Sequence, residues 1–374
     1  MMDMNTISIP RRKFAQLLGA GAAPAFVRPA FSFTKQPEHI AANAGVVRLS
    51  ANENPYGPSP RAHEAMNGAF DLCCRYPDKH NDVLTEKLAK LNNVDRDQIL
   101  LGDGSSEILK LCAETFTGKE RGQLVAADPT FEAILEQASV DGAEVVKVPL
   151  TSTFAHDLPK MRAAAKGGLI YVCNPNNPTA SITPKNDLRE FIANTQRPTT
   201  ILVDEAYFHY ADNPDYDSVI PLVKDHPNLI VSRTFSKIYG MAGLRCGYCV
   251  AQKDTIERMR PHQMWDSVNI MALAAASASL DDPKQVPNGQ RLNSEVKAFV
   301  VGELDKVGYK TIPSQANFMM FDCKRPVVPL IQALKDRNVE VGRLFPAMPN
   351  YMRLTIGKKS EMESFLSAFR HVMT

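Results

Sequence analysis

The alternation of short, continuous apolar runs with helix-patterned stretches constrains this chain more than any other feature. Residues 123–127, 144–148, 169–173, 200–203 and 229–232 form runs rich in Val, Ile and Leu. Between them, residues 107–116 and 188–194 repeat their apolar positions at helical spacing. A strand that is apolar all round must be covered on both faces, and parallel neighbours need a crossover, usually a helix. The pattern therefore predicts an α/β fold with a largely parallel sheet. The last third differs. Short runs at 316–322, 339–342 and 352–356 interleave with helical patterns at 293–307, 328–337 and 361–372, which predicts a smaller α+β domain. Residues 259–280 are expected to contain a long connecting helix. A length of 374 residues accommodates one large and one smaller domain.

Charge narrows the partners. The formal net charge is +2. Arg11, Arg12, Lys13 and Arg28 face only Asp3 in the first 30 residues, a local +3, so the remainder carries +2 − 3 = −1. A near-neutral body gives no electrostatic reason to expect nucleic acid. The basic stretch itself reads as a targeting signal. Pro10-Arg11-Arg12-Lys13-Phe14 precedes a weakly apolar run from Leu17 to Ala23, then small residues and Pro. Paired arginines before such a run resemble a twin-arginine export signal spanning about residues 1–30. The expectation is export to the periplasm, with a cytoplasmic location as the alternative. The run is too short and too rich in Gly and Ala to span a membrane, so no membrane association is expected of the mature form.

The chain has seven cysteines, an odd number that does not suggest a complete disulfide framework. The spacing Cys246-Gly247-Tyr248-Cys249 falls in an apolar, strand-like context without a second pair, so no metal site is expected. Most of these cysteines read as small buried hydrophobes.

In a parallel α/β sheet, ligands bind beyond the carboxyl ends of the strands. Three successive runs end in polar groups: Asn174-Pro175-Asn176-Asn177 after 169–173, Asp204-Glu205-Ala206-Tyr207 after 200–203, and Arg233-Thr234-Phe235-Ser236-Lys237 after 229–232. Singly, each is ordinary: a cap, a turn, a solvated lysine. Together they mark one site. Gly102-Asp103-Gly104-Ser105-Ser106-Glu107 opens a helical pattern, and free N–H groups at a helix start favour an anion. The spacing is not G-x-G-x-x-G, which weakens a dinucleotide reading.

The segment Ser232–Lys237, followed by Gly243-Leu244-Arg245-Cys246-Gly247-Tyr248, resembles the cofactor-lysine motif of fold-type I pyridoxal-phosphate aminotransferases. Within them it is similar to the histidinol-phosphate aminotransferase family, from about Leu49 to the C-terminus. The resemblance implies a large cofactor domain (61–270), a small domain (271–374) and an N-terminal segment (31–60) packed on the small one. It makes Lys237 the Schiff-base lysine, Asp204 the partner of the pyridine nitrogen, and Tyr207 and Asn177 the groups bonded to the ring oxygen. It assigns the cofactor phosphate to Gly104, Ser105, Ser106, Thr234, Ser236 and Arg245, and ring stacking to Phe131. Tyr76 would reach the phosphate of a neighbouring subunit, which implies a homodimer. On the substrate side, Arg353 would clamp an α-carboxylate, Arg343 would bind a substrate phosphate, and Asn54 and Tyr56 belong to the matching N-terminal loop. The lysine type is chemically required, since an amine can deprotonate and attack a carbonyl whereas a guanidinium cannot.

Departures from the family gather on the substrate side. Ala180 stands where the family has glycine, which implies a changed turn if that glycine needs positive φ. Phe33-Thr34-Lys35 and Met264-Trp265-Asp266-Ser267 replace familiar pocket-wall segments. The expectation is transamination from an amino acid or histidinol-phosphate-like donor to a 2-oxo acid. The alternatives are a decarboxylase or oxidase of the same fold, a non-catalytic amino-acid or vitamin binder, and a nucleotide-binding α/β protein.

Overall fold

The computed structural model describes residues 45–373, so the arginine pair at 11–12 and the segment 31–44 lie outside the described residues. Eleven strands are present among them: β1 (Val47–Leu49), β2 (Ile99–Gly102), β3 (Leu124–Asp128), β4 (Val145–Pro149), β5 (Leu169–Cys173), β6 (Thr200–Asp204), β7 (Leu229–Thr234), β8 (Gly247–Ala251), β9 (Phe318–Asp322), β10 (Val339–Val341) and β11 (Tyr351–Thr355). Seven of them form one sheet in the order β2-β8-β7-β6-β5-β3-β4. Only β8 runs against the rest. The apolar runs at 123–127, 144–148, 169–173, 200–203 and 229–232 correspond to β3 through β7, each within two residues at either end.

Every central strand sends alternate side chains to opposite faces, as period-two geometry requires. Val125, Ile170, Val172, Ile201, Val203 and Val231 join one buried cluster. Leu124, Ala126, Leu169, Tyr171, Leu202 and Ile230 join another. That split is the physical meaning of an unbroken apolar run: both faces are covered, here by helices such as Gly104–Phe116 on one side and Lys185–Asn194 on the other. A third cluster, from Leu49 and Val296 through Phe369, packs around the C-terminal strands. There β9 pairs antiparallel with β11, and β1 pairs parallel with β10.

Two expectations change. Residues 259–280 do not hold one long helix. The helix Lys253–Met259 ends, Arg260–His262 forms a tight turn, and a new helix begins at Ile270. Pro261 lacks an N–H and disfavours helix at the residue before it, Asp266 has φ of 52°, and Asn269 caps the new helix by accepting from Ala272 N–H. The longest helix is instead Gln285–Lys306, 22 residues. Second, Ala180 does not abandon the glycine-type turn. It adopts φ of 58° while fully buried, with its N–H bonded to Asn176 O at 2.7 Å and its carbonyl to Gln315 N–H at 2.8 Å. Tertiary bonds hold an alanine where a free chain would pay about 1–2 kcal/mol. Of the seven cysteines, all free, five are buried as expected, but Cys73 and Cys74 are exposed.

Candidate active site

The strand register assembles the site. At one edge of the sheet Gly102 pairs with Gly247, and Gly247 with Thr234. The ends of β2 and β7 and the start of β8 therefore meet, although up to 145 residues (247 − 102) separate them in sequence. The Gly104–Ser106 helix start, the Thr234–Lys237 segment and Arg245 all emerge there. Gly104 and Gly247 are needed for this convergence. A Cβ at Gly104 would run into the Arg245 guanidinium, and one at Gly247 into the Ser105 backbone. Arg245 itself takes φ of 60° and donates to Ala242 O and Asp103 O at 2.9 and 3.2 Å.

A pocket of about 210 Å³ lies beyond this edge. Ser105, Ser106, Thr234, Ser236 and Arg245 line one part of it; Phe131, Asn177, Asp204, Tyr207, Lys237 and Arg353 line the remainder. Eleven predicted residues thus share one cavity, with Gly104 against Arg245 at its margin. Hydroxyls, helix-start N–H groups and one guanidinium are what a phosphate monoester needs.

Asp204, at the end of β6, is 2% exposed. It accepts from Tyr171 Oη and Ser232 Oγ, both at 3.0 Å, and from Ala206 N–H at 3.2 Å. Burial raises its pKa despite these donors. A cationic ring nitrogen would stabilise the carboxylate in that setting. Lys237 Nζ donates to Asn52 O at 3.2 Å. Burial, followed by the positive field of Arg353, lowers its pKa from 10.5 to about 8. An amine that sheds its proton near neutral pH suits attack on an aldehyde. Tyr207 Oη accepts from Asn52 Nδ2 at 3.2 Å, and burial raises its pKa.

Arg353 enters from β11 across the pocket. Nη1 donates to Asn177 Oδ1 at 2.8 Å and Nη2 to Ser50 O at 2.6 Å, while the buried Nε has no partner among the described residues. Burial lowers its pKa from 12.5 to about 10. A desolvated guanidinium with an unused N–H is an incomplete carboxylate clamp. The residues therefore fit pyridoxal phosphate with an amino-acid donor: an anion cradle, a buried carboxylate for the ring, a reactive amine and a carboxylate fork.

Other predicted residues fall elsewhere. Asn54 and Tyr56 line a separate cavity with Pro60, Lys284 and Leu292. Asn54 Nδ2 bonds Ile238 O at 2.9 Å and so braces the segment after Lys237. Arg343 lies in an adjoining cavity and pairs with Glu132. Tyr76 is 83% exposed and lines none of these cavities.

The sequence reading gave Asn52 no role of its own beyond opening the loop that carries Asn54 and Tyr56. Its carbonyl accepts from Lys237 Nζ and Asn317 Nδ2, its amide reaches Tyr207, and its N–H and Oδ1 bond Thr355 Oγ1. Its φ of 55° is a conformation asparagine tolerates better than most residues. Ala51, Cys173, Ala206 and Ala242 also line the pocket, but only their small size matters and nothing in the sequence marks it.

The chain matches the profile of aminotransferase class I and II over residues 44–369. It is 38% identical over 328 residues to a histidinol-phosphate aminotransferase from Symbiobacterium thermophilum, covering 87% of this chain and 90% of that protein. A histidinol-phosphate aminotransferase from Moorella thermoacetica is 37% identical, covering 88% and 86%. The crystal structure of histidinol-phosphate aminotransferase from Sinorhizobium meliloti in complex with pyridoxal-5'-phosphate superposes with a TM-score of 0.81 at 25% identity, covering 88% of this chain and 91% of that one. The strand-end pocket and these matches agree: the chain belongs to the class I and II aminotransferases.

Proposed function

We propose that this aminotransferase holds pyridoxal phosphate on Lys237 and moves an amino group from an amino acid or histidinol-phosphate-like donor to a 2-oxo acid. The observation that carries the reading is the buried Lys237 amine, with its pKa lowered to about 8, sharing one small pocket with Asp204 and Arg353. When bound, the cofactor supplies an aldehyde that condenses with amines and a ring that withdraws electrons from the donor's Cα–H bond.

The chain's own groups do the remainder. Arg353 orients the donor carboxylate, which sets the Cα–H bond near Lys237. The Lys237 amine, with its pKa lowered to about 8, can take up and release a proton close to physiological pH and would carry one to or from the donor Cα. Asp204, buried, would hold positive charge on the ring nitrogen. Tyr207 and Asn177 would hydrogen-bond the ring oxygen. Gly104, Ser105, Ser106, Thr234, Ser236 and Arg245 would hold the phosphate, and Phe131 would cover the ring.

Further parts of the reading concern organisation. Residues 61–270 would form the cofactor domain and 271–374 the small domain; of the expected N-terminal segment 31–60, the described part from residue 45 would pack on the latter. The separate buried cluster of Leu49 with residues from Val296 to Phe369 supports a small domain, although Ala272, Leu273, Ala275 and Ala276 pack in the cluster of the large sheet. Tyr76, exposed and outside its own chain's pocket, supports a homodimer in which it serves the neighbouring site. Arg11 and Arg12 before a short apolar run support twin-arginine export. The test is turnover by purified holoenzyme: the oxo compound corresponding to the donor should accumulate only when a 2-oxo acid acceptor is supplied. Release of CO₂ or peroxide would contradict transamination.

A further inference from the structure

The outer cleft carries a charge pair that the mechanism above leaves unused. A cavity of about 250 Å³ shares Phe131, Asn177 and Arg353 with the cofactor pocket and continues to Glu132, Glu136 and Arg343. A donor clamped by its carboxylate at Arg353 extends its side chain into this space. There Arg343 Nη2 donates to Glu132 Oε2. Arg343 lies 4.5 Å from the centre of the Phe345 ring, and Arg353 lies 5.1 Å from the same ring. Both cations thus rest on one aromatic platform. Gly342 allows the close approach: its N–H donates to Arg353 O at 2.9 Å, and a Cβ there would sit 3.1 Å from Arg353 Nε.

We infer that Glu132 is a specificity-determining residue: by occupying Arg343 it selects donors with an uncharged, planar distal group and disfavours phosphomonoesters. The inference rests on the aminotransferase reading and names the substrate class of that same site. Beyond Arg353 the cavity carries one guanidinium and two carboxylates, +1 − 2 = −1. A doubly charged phosphate must pull Arg343 away from Glu132 or lie beside two like charges, and either weakens binding. An aromatic side chain meets no such conflict and gains Phe131, Phe345 and the guanidinium faces. The pair is partly solvated, with side-chain exposures of 54% for Arg343 and 34% for Glu132, so it biases the choice by a ratio and does not block phosphate outright.

The test compares kcat/KM of the holoenzyme for phenylalanine against histidinol phosphate and O-phosphoserine, for wild type and Glu132→Gln. O-phosphoserine keeps an α-carboxylate, so it isolates the effect of the distal phosphate. Wild type should favour phenylalanine over both esters, and Glu132→Gln should shift the ratio toward the esters by about tenfold, the scale of one removed like charge. Arg343→Met should shift it back toward phenylalanine in the Glu132→Gln background. Wild type that prefers either ester, or a ratio that Glu132→Gln leaves unchanged, overturns the inference while leaving transamination standing. Absence of turnover with donors of both kinds overturns the aminotransferase reading and this inference together.

Discussion

The inner wall of the cleft and its outer rim are held by different kinds of interaction. At the inner wall, Asp204 sits at the end of a central strand and receives three hydrogen bonds, two of them from Tyr171 on β5 and Ser232 on β7. One residue further on, Glu205 and Arg233 form a buried ion pair at 2.8 Å, with Arg233 also bonded to Ser218 and stacked 3.9 Å over Phe208. At the rim, Arg343 and Glu132 form a partly solvated pair, whereas Met264 and Trp265, expected at the pocket wall, line a separate cavity with Arg96 and Arg260. Removing one partner of a buried, hydrogen-bonded pair is costly, whereas a solvated pair contributes little and rearranges easily. On the proposed reading, the wall that would fix the reaction is the costly part to change, and the rim that would choose the donor is the adaptable part.

Changes at the inner wall should therefore affect every donor alike. Lys237→Ala removes both the cofactor attachment and the proton carrier, and should lower kcat by about ten thousandfold, the upper range for a lost acid–base group. Steady-state rates across a donor panel check this, and a variant that fails with only one donor would break the contrast. Asp204→Asn keeps the shape but not the charge opposite the ring nitrogen. It should lower kcat about a hundredfold with little change in KM, the scale of one lost electrostatic stabiliser.

Arg353 lies where wall and rim meet, so its variant should separate them. Arg353→Lys retains charge but loses the planar fork. About tenfold of kcat/KM should be lost for donors carrying an α-carboxylate, corresponding to one charge-assisted hydrogen bond, and less for a donor without one.

The pH response tests burial at the wall. Lys237 has a pKa of about 8 in place of the ordinary 10.5, and only its neutral form attacks an aldehyde. Cofactor uptake by the cofactor-free protein, followed by absorbance, should accelerate as pH rises through about 8 and then level off. Continued acceleration toward the ordinary lysine range would mean a solvated amine.

The smallest effect is expected at Ala180. Glycine there relieves about 1 kcal/mol of left-handed strain. It also loses a buried methyl worth about 0.8 kcal/mol and frees the unfolded chain by about 0.5–1 kcal/mol. Ala180→Gly should change unfolding free energy by less than about 1 kcal/mol in denaturant titration, with donor preference unaltered.

Local pattern made much of the inner wall readable. The runs that became β5, β6 and β7 are apolar because both faces are covered, and polar residues gather at and beyond their carboxyl ends. Asn177, Asp204 and Lys237 follow from that rule. The phosphate cradle needed more, because Gly102, Thr234 and Gly247 meet through the antiparallel insertion of β8, which no local period reveals. Long-range side-chain contacts were least readable. Asn52 acts through hydrogen bonds to residues 155–303 positions away, and Glu132 through Arg343, 211 positions away. Trp265 and the break at Pro261 depend on tertiary context that outweighs the helical pattern on either side.

The central claim is that Lys237 carries the cofactor at the inner wall. Borohydride reduction of the coloured holoenzyme followed by peptide mapping tests it most directly, because reduction fixes the cofactor permanently to whichever amine holds it. The account predicts a visible absorbance band that disappears on reduction and a single modified peptide with the label on Lys237. A colourless purified protein that takes up no pyridoxal phosphate, or a label on a different lysine, would contradict it.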